Sequence, residues 1–248
     1  MKIVYIMWLR ELKRYFRSKS RVVGSLGQPL LFLLALGYGL GSVFRAAGQG
    51  NYFQFLVPGI VGMSIIFSAI FSGIQIIWDR QFGFLKETLV APVSRLNIMI
   101  GRTLGGATVA TIQGIIVLFI SIAFGFRPGN WWLFPVALVF MLLVALLFTA
   151  LGTGIASVLE DMQGFQLIMN FLVMPIFFLS GALFPLSGLP PILTGFTVVD
   201  PLSYGIDSFR ALLVGAAHFG LGLDFTVLAV VTAAFLVAGS YLFSRIQI

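Results

Sequence analysis

Residues 131–157 read WWLFPVALVFMLLVALLFTALGTGIAS. The stretch contains no Asp, Glu, Lys or Arg. A helix that crosses a bilayer needs about 20 largely apolar residues, and a helix apolar all round belongs in a membrane or deep inside a core. Working outward, five further stretches qualify as spans: 22–44, 55–78, 103–124, 165–184 and 224–244. Composition agrees. Hydrophobic residues make up 59% of the 248 and charged residues 9%, against about 45–50% and about 25% in soluble domains. The fold class is therefore all-α polytopic: six transmembrane helices in one transmembrane domain over 1–248.

The net charge is +7, and its placement points to a membrane rather than a nucleic acid. Lys2, Arg10, Lys13, Arg14, Arg17, Lys19 and Arg21 all precede the first span. With the amino terminus inside, twelve Lys and Arg flank the inner side and three the outer, as the positive-inside rule asks. Both termini are then cytoplasmic, in a cell (plasma or inner) membrane. The apolar run after residue 21 exceeds the 7–15 residues of a signal h-region, so the first span is expected to be retained. Within 1–21, Tyr5, Trp8, Leu9, Leu12, Tyr15 and Phe16 recur on one helical face and Arg10, Lys13, Arg14, Arg17 and Arg21 on another. That pattern describes an amphipathic helix in the interface plane, either a plain anchor or an elbow that also touches a cytoplasmic partner. Trp78, Trp131 and Trp132 sit at span ends, where aromatic belts form.

Segment 185–223 is moderately apolar, but Pro185, Pro190, Pro191 and Pro201 interrupt it and Asp200, Asp207 and Arg210 make it a poor span. It is expected to form a lid of short helices on the outer side. A helix over 203–216 could be capped by Ser203, and Asp207 and Arg210 could pair across one turn. Pro29, Pro58 and Pro175 fall inside spans and are expected to kink them.

Much chemistry is missing. Cysteine is absent and His218 is the single histidine, which removes disulfides, thiolate metal sites and a histidine pair for zinc. No catalytic residue is assigned. Every acid falls in a flank, and Gln28, Gln75, Gln113, Gln166 and Asn170 are the main polar groups at membrane depth. A gradient-driven carrier usually needs an ionisable residue inside a span. The lightly polar pathway suits an amphiphile better than an ion. Energy must come from elsewhere, yet the chain has no Gly-Lys pair and hence no phosphate-binding loop. If ATP drives the protein, another chain binds it and pushes here. The best place is the loop between the second and third spans, LKETLVAPVSR at 85–95, whose first half reads as a short amphipathic helix ended by Pro92.

Three stretches resemble a known family: LKETLVAPVSRLNIMIGRTLGGATVATIQG at 85–114, LEDMQGFQLIMNFLVMPIFFLSGALFP at 159–185, and LSGLPPILTGFTVVDPLSYGIDSFRALLVG at 186–215. Together with the six spans, they make the chain similar to the membrane permease of type-2 ATP-binding-cassette exporters, in the branch with the daunorubicin-resistance and nodulation-factor permeases. The resemblance implies two permease copies, usually a homodimer, with two ATP-binding-cassette ATPase subunits that carry ATP and Mg2+; this chain would hold no cofactor. It implies a coupling helix at about 84–91, with Leu85, Lys86, Glu87, Thr88, Leu89 and Val90 docking into the ATPase. The amino-terminal helix, with Arg10, would be the connecting helix beside it, and Glu160 and Asp161 a second cytoplasmic contact. The second and fifth spans would line the cavity, with Phe171, Met174, Phe177 and Phe178 as candidate pathway residues. Asp200, Asp207 and Arg210 would belong to the lid over it.

The expected cargo is a drug, antibiotic or lipid-like molecule. Export of a lipo-oligosaccharide or polysaccharide by the same machinery stays open, and aromatic platforms along the path would favour it. A non-transporting membrane scaffold is the reading from another class; it predicts no associated ATPase.

Overall fold

The structure, a computed structural model, describes residues 2–46, 50–84, 94–186 and 190–245. Its regular elements are all helical. They are α1 (Lys2–Arg17), α2 (Lys19–Gly39), α3 (Gly41–Ala46), α4 (Tyr52–Phe71), α5 (Ile74–Gln81), α6 (Arg95–Ala123), a 3-10 turn at Trp131–Leu133, α7 (Phe134–Val158), α8 (Met162–Leu179), α9 (Pro191–Val199), α10 (Pro201–Val214) and α11 (Leu221–Ser244). Among the described residues, six helical stretches are long and apolar enough to cross a membrane: Val22–Gly39, Tyr52–Gln81, Arg95–Ala123, Trp131–Val158, Met162–Leu179 and Leu221–Ser244. They coincide with the six expected spans, so the chain is a multi-pass membrane protein.

The largest boundary error is at the third span, expected from 103 and observed from Arg95. Ser94 caps it by accepting from the Asn97 backbone N–H, and Arg102 lies inside the helix because it has a buried partner. The fifth span ends at Leu179 rather than 184, because the chain then turns through Gly181 at φ +74°, a left-handed conformation that favours glycine.

Helix α4 is the axis of the bundle. Every residue from Leu56 to Ile66 is buried, because α2, α6, α7 and α10 all pack against it. The turn from α4 to α5 crosses α7 where Gly73 meets Gly152, and a Cβ on Gly152 would lie 2.6 Å from the Ile70 carbonyl oxygen. Helix α11 lies along α7. By contrast, α8 touches the bundle along a narrow stripe, Phe165, Met169, Val173 and Phe177. Its opposite face exposes Leu167, Ile168, Phe171 and Phe178.

The amino-terminal helix is more than a membrane anchor. It docks on α6 over Gly101 and Gly105. A Cβ on Gly101 would lie 2.7 Å from Met7 Cβ and 2.8 Å from the Val4 oxygen, and one on Gly105 would lie 2.7 Å from Glu11 Cβ. Small residues at these positions let two helices approach closely. Trp8 Nε1 donates to Thr108 Oγ1 at 3.0 Å, and the Tyr15 hydroxyl donates to Gln113 Oε1 at 2.9 Å. The docked face is thus Val4, Met7, Trp8, Glu11 and Tyr15. The expected apolar face is shifted accordingly, since Tyr5 and Phe16 remain exposed. Burial pushes the Tyr15 phenol above its usual pKa, which keeps it a donor.

Candidate functional site

At the α1 end, α5 carries Asp79 inward. Its carboxylate accepts from Arg102 of α6, from Arg10 of α1 at 2.6 Å and from Arg14 of α1 at 3.5 Å. Arg14 also donates to Gln75 Oε1 at 2.5 Å. Three helices therefore meet on one carboxylate. Arg102 is 5% exposed, and its Nε and Nη1 find no partner among the described residues. A charge so desolvated is costly unless paired, so Asp79 is what permits Arg102 to sit there. The expectation that Asp79 and Arg102 fall in the flanks of spans is thereby corrected, since both lie within the helices and are buried. The sequence signal was faint: a lone acid and a lone base, each just beyond an apolar run.

Asp79 is followed by Arg80 and Gln81, which grip the connection from α7 to α8. Arg80 donates to the Leu159 and Ser157 carbonyls, both at 3.0 Å, and Gln81 Nε2 donates to the Glu160 carbonyl at 3.4 Å. The indole N–H of Trp78 donates to Met162 sulfur, so this half-buried Trp is a packing contact rather than a belt residue. Asp161 caps α8 by accepting from the Gly164 backbone N–H, while the Glu160 side chain is exposed. On the far side of the loop, Arg95 donates to the Ser244 carbonyl at 2.7 Å. Leu85, Lys86, Glu87, Thr88, Leu89 and Val90 lie outside the described residues. The described residues on either side, up to 84 and from 94, are anchored: the first side to α1, α6 and the α7–α8 connection through Asp79, Arg80 and Gln81, the second to α11 through Arg95. Of the expected contacts, Arg10 and the Glu160 carbonyl touch the first side, while Asp161 bonds within its own helix.

At the opposite end, α10 is a buried plug. Eleven of its residues are buried, and it packs against α4, α7 and α11. It begins at Pro201, and its cap is Asp200, which accepts from the Leu202 N–H at 2.9 Å. Ser203 is not the cap. Proline at the first helical position and a carboxylate before it decide the start. Burial pushes the Asp200 carboxyl up to about 7.

Asp207 and Arg210 make no ion pair with each other. The Asp207 carboxylate accepts from the backbone N–H groups of His218, Phe219 and Gly220, at 2.7, 2.8 and 3.4 Å. Arg210 donates to the Gly181 carbonyl at 3.0 Å and lies 4.0 Å over the Phe55 ring. Unsatisfied backbone groups at a chain turn won over a neighbour one turn away. Burial lowers the Arg210 guanidinium to about 10, so it stays charged near neutral pH. These side chains clamp the plug to α4, to the segment after α8 and to the start of α11.

The candidate pathway residues divide. Phe171 (81% exposed) and Phe178 are exposed and Met174 is half-buried, all on the outward face of α8. Phe177 is 1% exposed and faces the core; it belongs to packing, because residue 177 falls on the stripe that α8 uses to reach the bundle.

The profile of the ABC-2 type transporter family matches residues 3–214. The chain is 30% identical over 213 residues to nodulation protein J of Rhizobium leguminosarum bv. trifolii, covering 85% of this chain and 78% of that protein. It is 30% identical over 232 residues to the inner membrane transport permease YadH of Escherichia coli K12, covering 92% of this chain and 90% of that one.

Proposed function

The chain belongs to the ABC-2 type transporter family, and on that premise we propose that it is the permease subunit of an ATP-driven exporter of amphiphiles, worked by a separate ATPase subunit through residues 85–90. The observation that carries this reading is the anchoring of both flanks of that loop. A helix pushed from outside moves a bundle only if its ends are tied to it. Here Asp79, Arg80 and Gln81 tie one end to three structural partners, and Arg95 ties the other to α11.

The proposed cycle follows from that coupling. With the basic end cytoplasmic, ATP binding draws two ATPase subunits together beneath two permease copies. Each docked 85–90 segment transmits the motion through α5 and α6. The second copy seats against the exposed face of α8, so that Phe171, Met174 and Phe178 border the shared path. Cargo leaves at the end closed by α10, and hydrolysis resets the assembly. The unpartnered apolar face of α8 supports the second copy, since contiguous exposed apolar surface marks either lipid or a partner.

The test uses the natural absence of cysteine. Glu87→Cys is paired with single cysteines on the candidate ATPase, with Asn51→Cys, at the opposite end of α4, as the control. Crosslinks from Glu87→Cys alone, together with ATP hydrolysis lost in Leu89→Ala, are expected. Crosslinks from the control but none from residue 87 would overturn the coupling role, and the absence of any associated ATPase would move the chain to the scaffold class.

A further inference from the structure

An open groove of about 1060 Å3 runs along α1 and the turn into α2. Five cations line it: Arg10, Lys13, Arg14, Arg17 and Lys19. No acid does. Helical spacing segregates the charge. Positions 10, 13, 14 and 17 fall on one face of α1. Glu11, the single acid of α1, is turned to α6, where a Cβ on Gly105 would lie 2.7 Å from its own Cβ. The groove takes no residue from α8 or α10, so it is apart from both the proposed path and the plug.

These cations are only partly used. An arginine carries five N–H donors. Arg10 spends one on Asp79, and Arg14 spends two, on Gln75 and Asp79. Lys13, Arg17 and Lys19 are exposed and make no ion pair among the described residues. Ser18 and Ser20 add hydroxyls to the lining, and the Ser18 side chain does not cap α2. Beside the basic face, Tyr5, Leu9, Leu12 and Phe16 form an apolar stripe at i, i+4, i+7 and i+11. Tyr5 and Phe16 are each 58% exposed. Ile6, 57% exposed, lines the groove together with Leu9. The first membrane-crossing stretch begins at Val22, about 5 Å past Lys19 along a helix axis. The groove therefore lies where headgroups meet acyl chains.

We propose that this groove binds an anionic phospholipid of the surrounding bilayer, its phosphate held by the arginines and lysines and its chains lying over the apolar stripe. Guanidinium and phosphate pair in bidentate geometry, and a basic face beside an apolar one draws acidic lipids. A zwitterionic headgroup would bring an ammonium among five cations with no acid to receive it. An acidic face of a soluble partner would leave Tyr5, Ile6 and Phe16 in water. Arg10 and Arg14 also hold Asp79. The bound lipid is thus a further partner of the carboxylate on which α1, α5 and α6 meet, a component of the assembly rather than its cargo.

Binding is measured without ATP or ATPase, so its failure is separate from failure of the coupling reading. The permease is stripped of lipid in mild detergent, titrated with dioleoyl phosphatidylglycerol or dioleoyl phosphatidylcholine, and read by native mass spectrometry. Phosphatidylglycerol adducts are expected at about tenfold lower lipid concentration. A diazirine-bearing phosphatidylglycerol should label peptides containing residues 5–20. The triple variant Lys13→Gln, Arg17→Gln, Lys19→Gln removes three exposed charges and no protein contact, and should abolish the preference. Lys13→Arg, Arg17→Lys, Lys19→Arg keeps the charges and should retain it. Glycerol phosphate and oligoglutamate, at equal concentration, should not displace the lipid. Equal binding of phosphatidylcholine, a preference that survives the glutamine variant, or its loss in the charge-keeping variant would each overturn the proposal. So would displacement by glycerol phosphate, which makes the ligand a soluble phosphate, or by oligoglutamate, which makes it an acidic protein.

Discussion

Removing Asp79 should hurt this protein far more than removing its buried partner. In Asp79→Asn, Arg102 keeps its charge with a side chain 4% exposed and loses its hydrogen-bonded counterion. Two of its nitrogens already lack partners. Breaking a buried ion pair by deleting one member costs about 3–5 kcal/mol, because the survivor is left uncompensated. In Arg102→Met, Asp79 still has Arg10 at 2.6 Å and Arg14 at 3.5 Å, and those arginines are about a third exposed and well hydrated. The poorly satisfied guanidinium is replaced by an apolar chain of similar length, so the expected cost is below about 2 kcal/mol. The double variant should be less damaged than Asp79→Asn alone. At about 2–4 °C per kcal/mol for chains of this size, the single Asp79 change lowers the melting temperature by roughly 6–20 °C. Thermal melting followed by fluorescence-detected size exclusion in mild detergent reads all three. Loss of Asp79 should also speed tryptic cleavage after Arg17, since α1 loses two of its ties. An Arg102→Met variant at least as unstable as Asp79→Asn would refute the asymmetry and with it the account of Asp79 as the hub.

Gly101→Val places a branched side chain against the backbone of α1; it should detach α1 and expose the α1–α2 junction to trypsin, while Gly39→Ala, which meets nothing, should not. Arg210→Met loses the bond to Gly181 and the charge over Phe55, and should loosen α10 enough to raise hydrogen exchange of its amides about tenfold. Asp200 binds its proton more tightly folded (about 7) than unfolded (about 3.9). The unfolded chain therefore loses the proton first. Stability falls as pH rises from about 4 to 7 and is flat above. Asp200→Asn keeps the cap and should remove this part of the drop in melting temperature between pH 5 and pH 8.

Which of these residues were legible in the sequence depends on how local their physics is. Apolar length and the absence of charge are properties of a single stretch, so the six spans could be read directly. So could the plug as a set of short helices, since its prolines interrupt any span. The candidate site was readable as segments and not as contacts. Residues 160–161 and the α5 end were expected on one side of the membrane, but that Arg80 and Gln81 grip Ser157, Leu159 and Glu160 follows from how α5 turns at Gly73. Asp207 and Arg210 looked like a pair because they are three apart, and each instead satisfied a backbone group brought near by the chain's return.

The sequence by itself determined a membrane protein, its spans and the sidedness that its arginines favour, because hydrophobic transfer and charge placement act residue by residue. Only the tertiary structure decided that Asp79 gathers Arg10, Arg14 and Arg102, that Phe177 turns inward while Phe171 and Phe178 turn outward, and that Gln75 and Gln113 accept from Arg14 and Tyr15. A charge or amide reads as a flank or a span residue until the fold shows which helix lies 3 Å away, and that distance is set by packing across positions 23 to 98 residues apart in the chain.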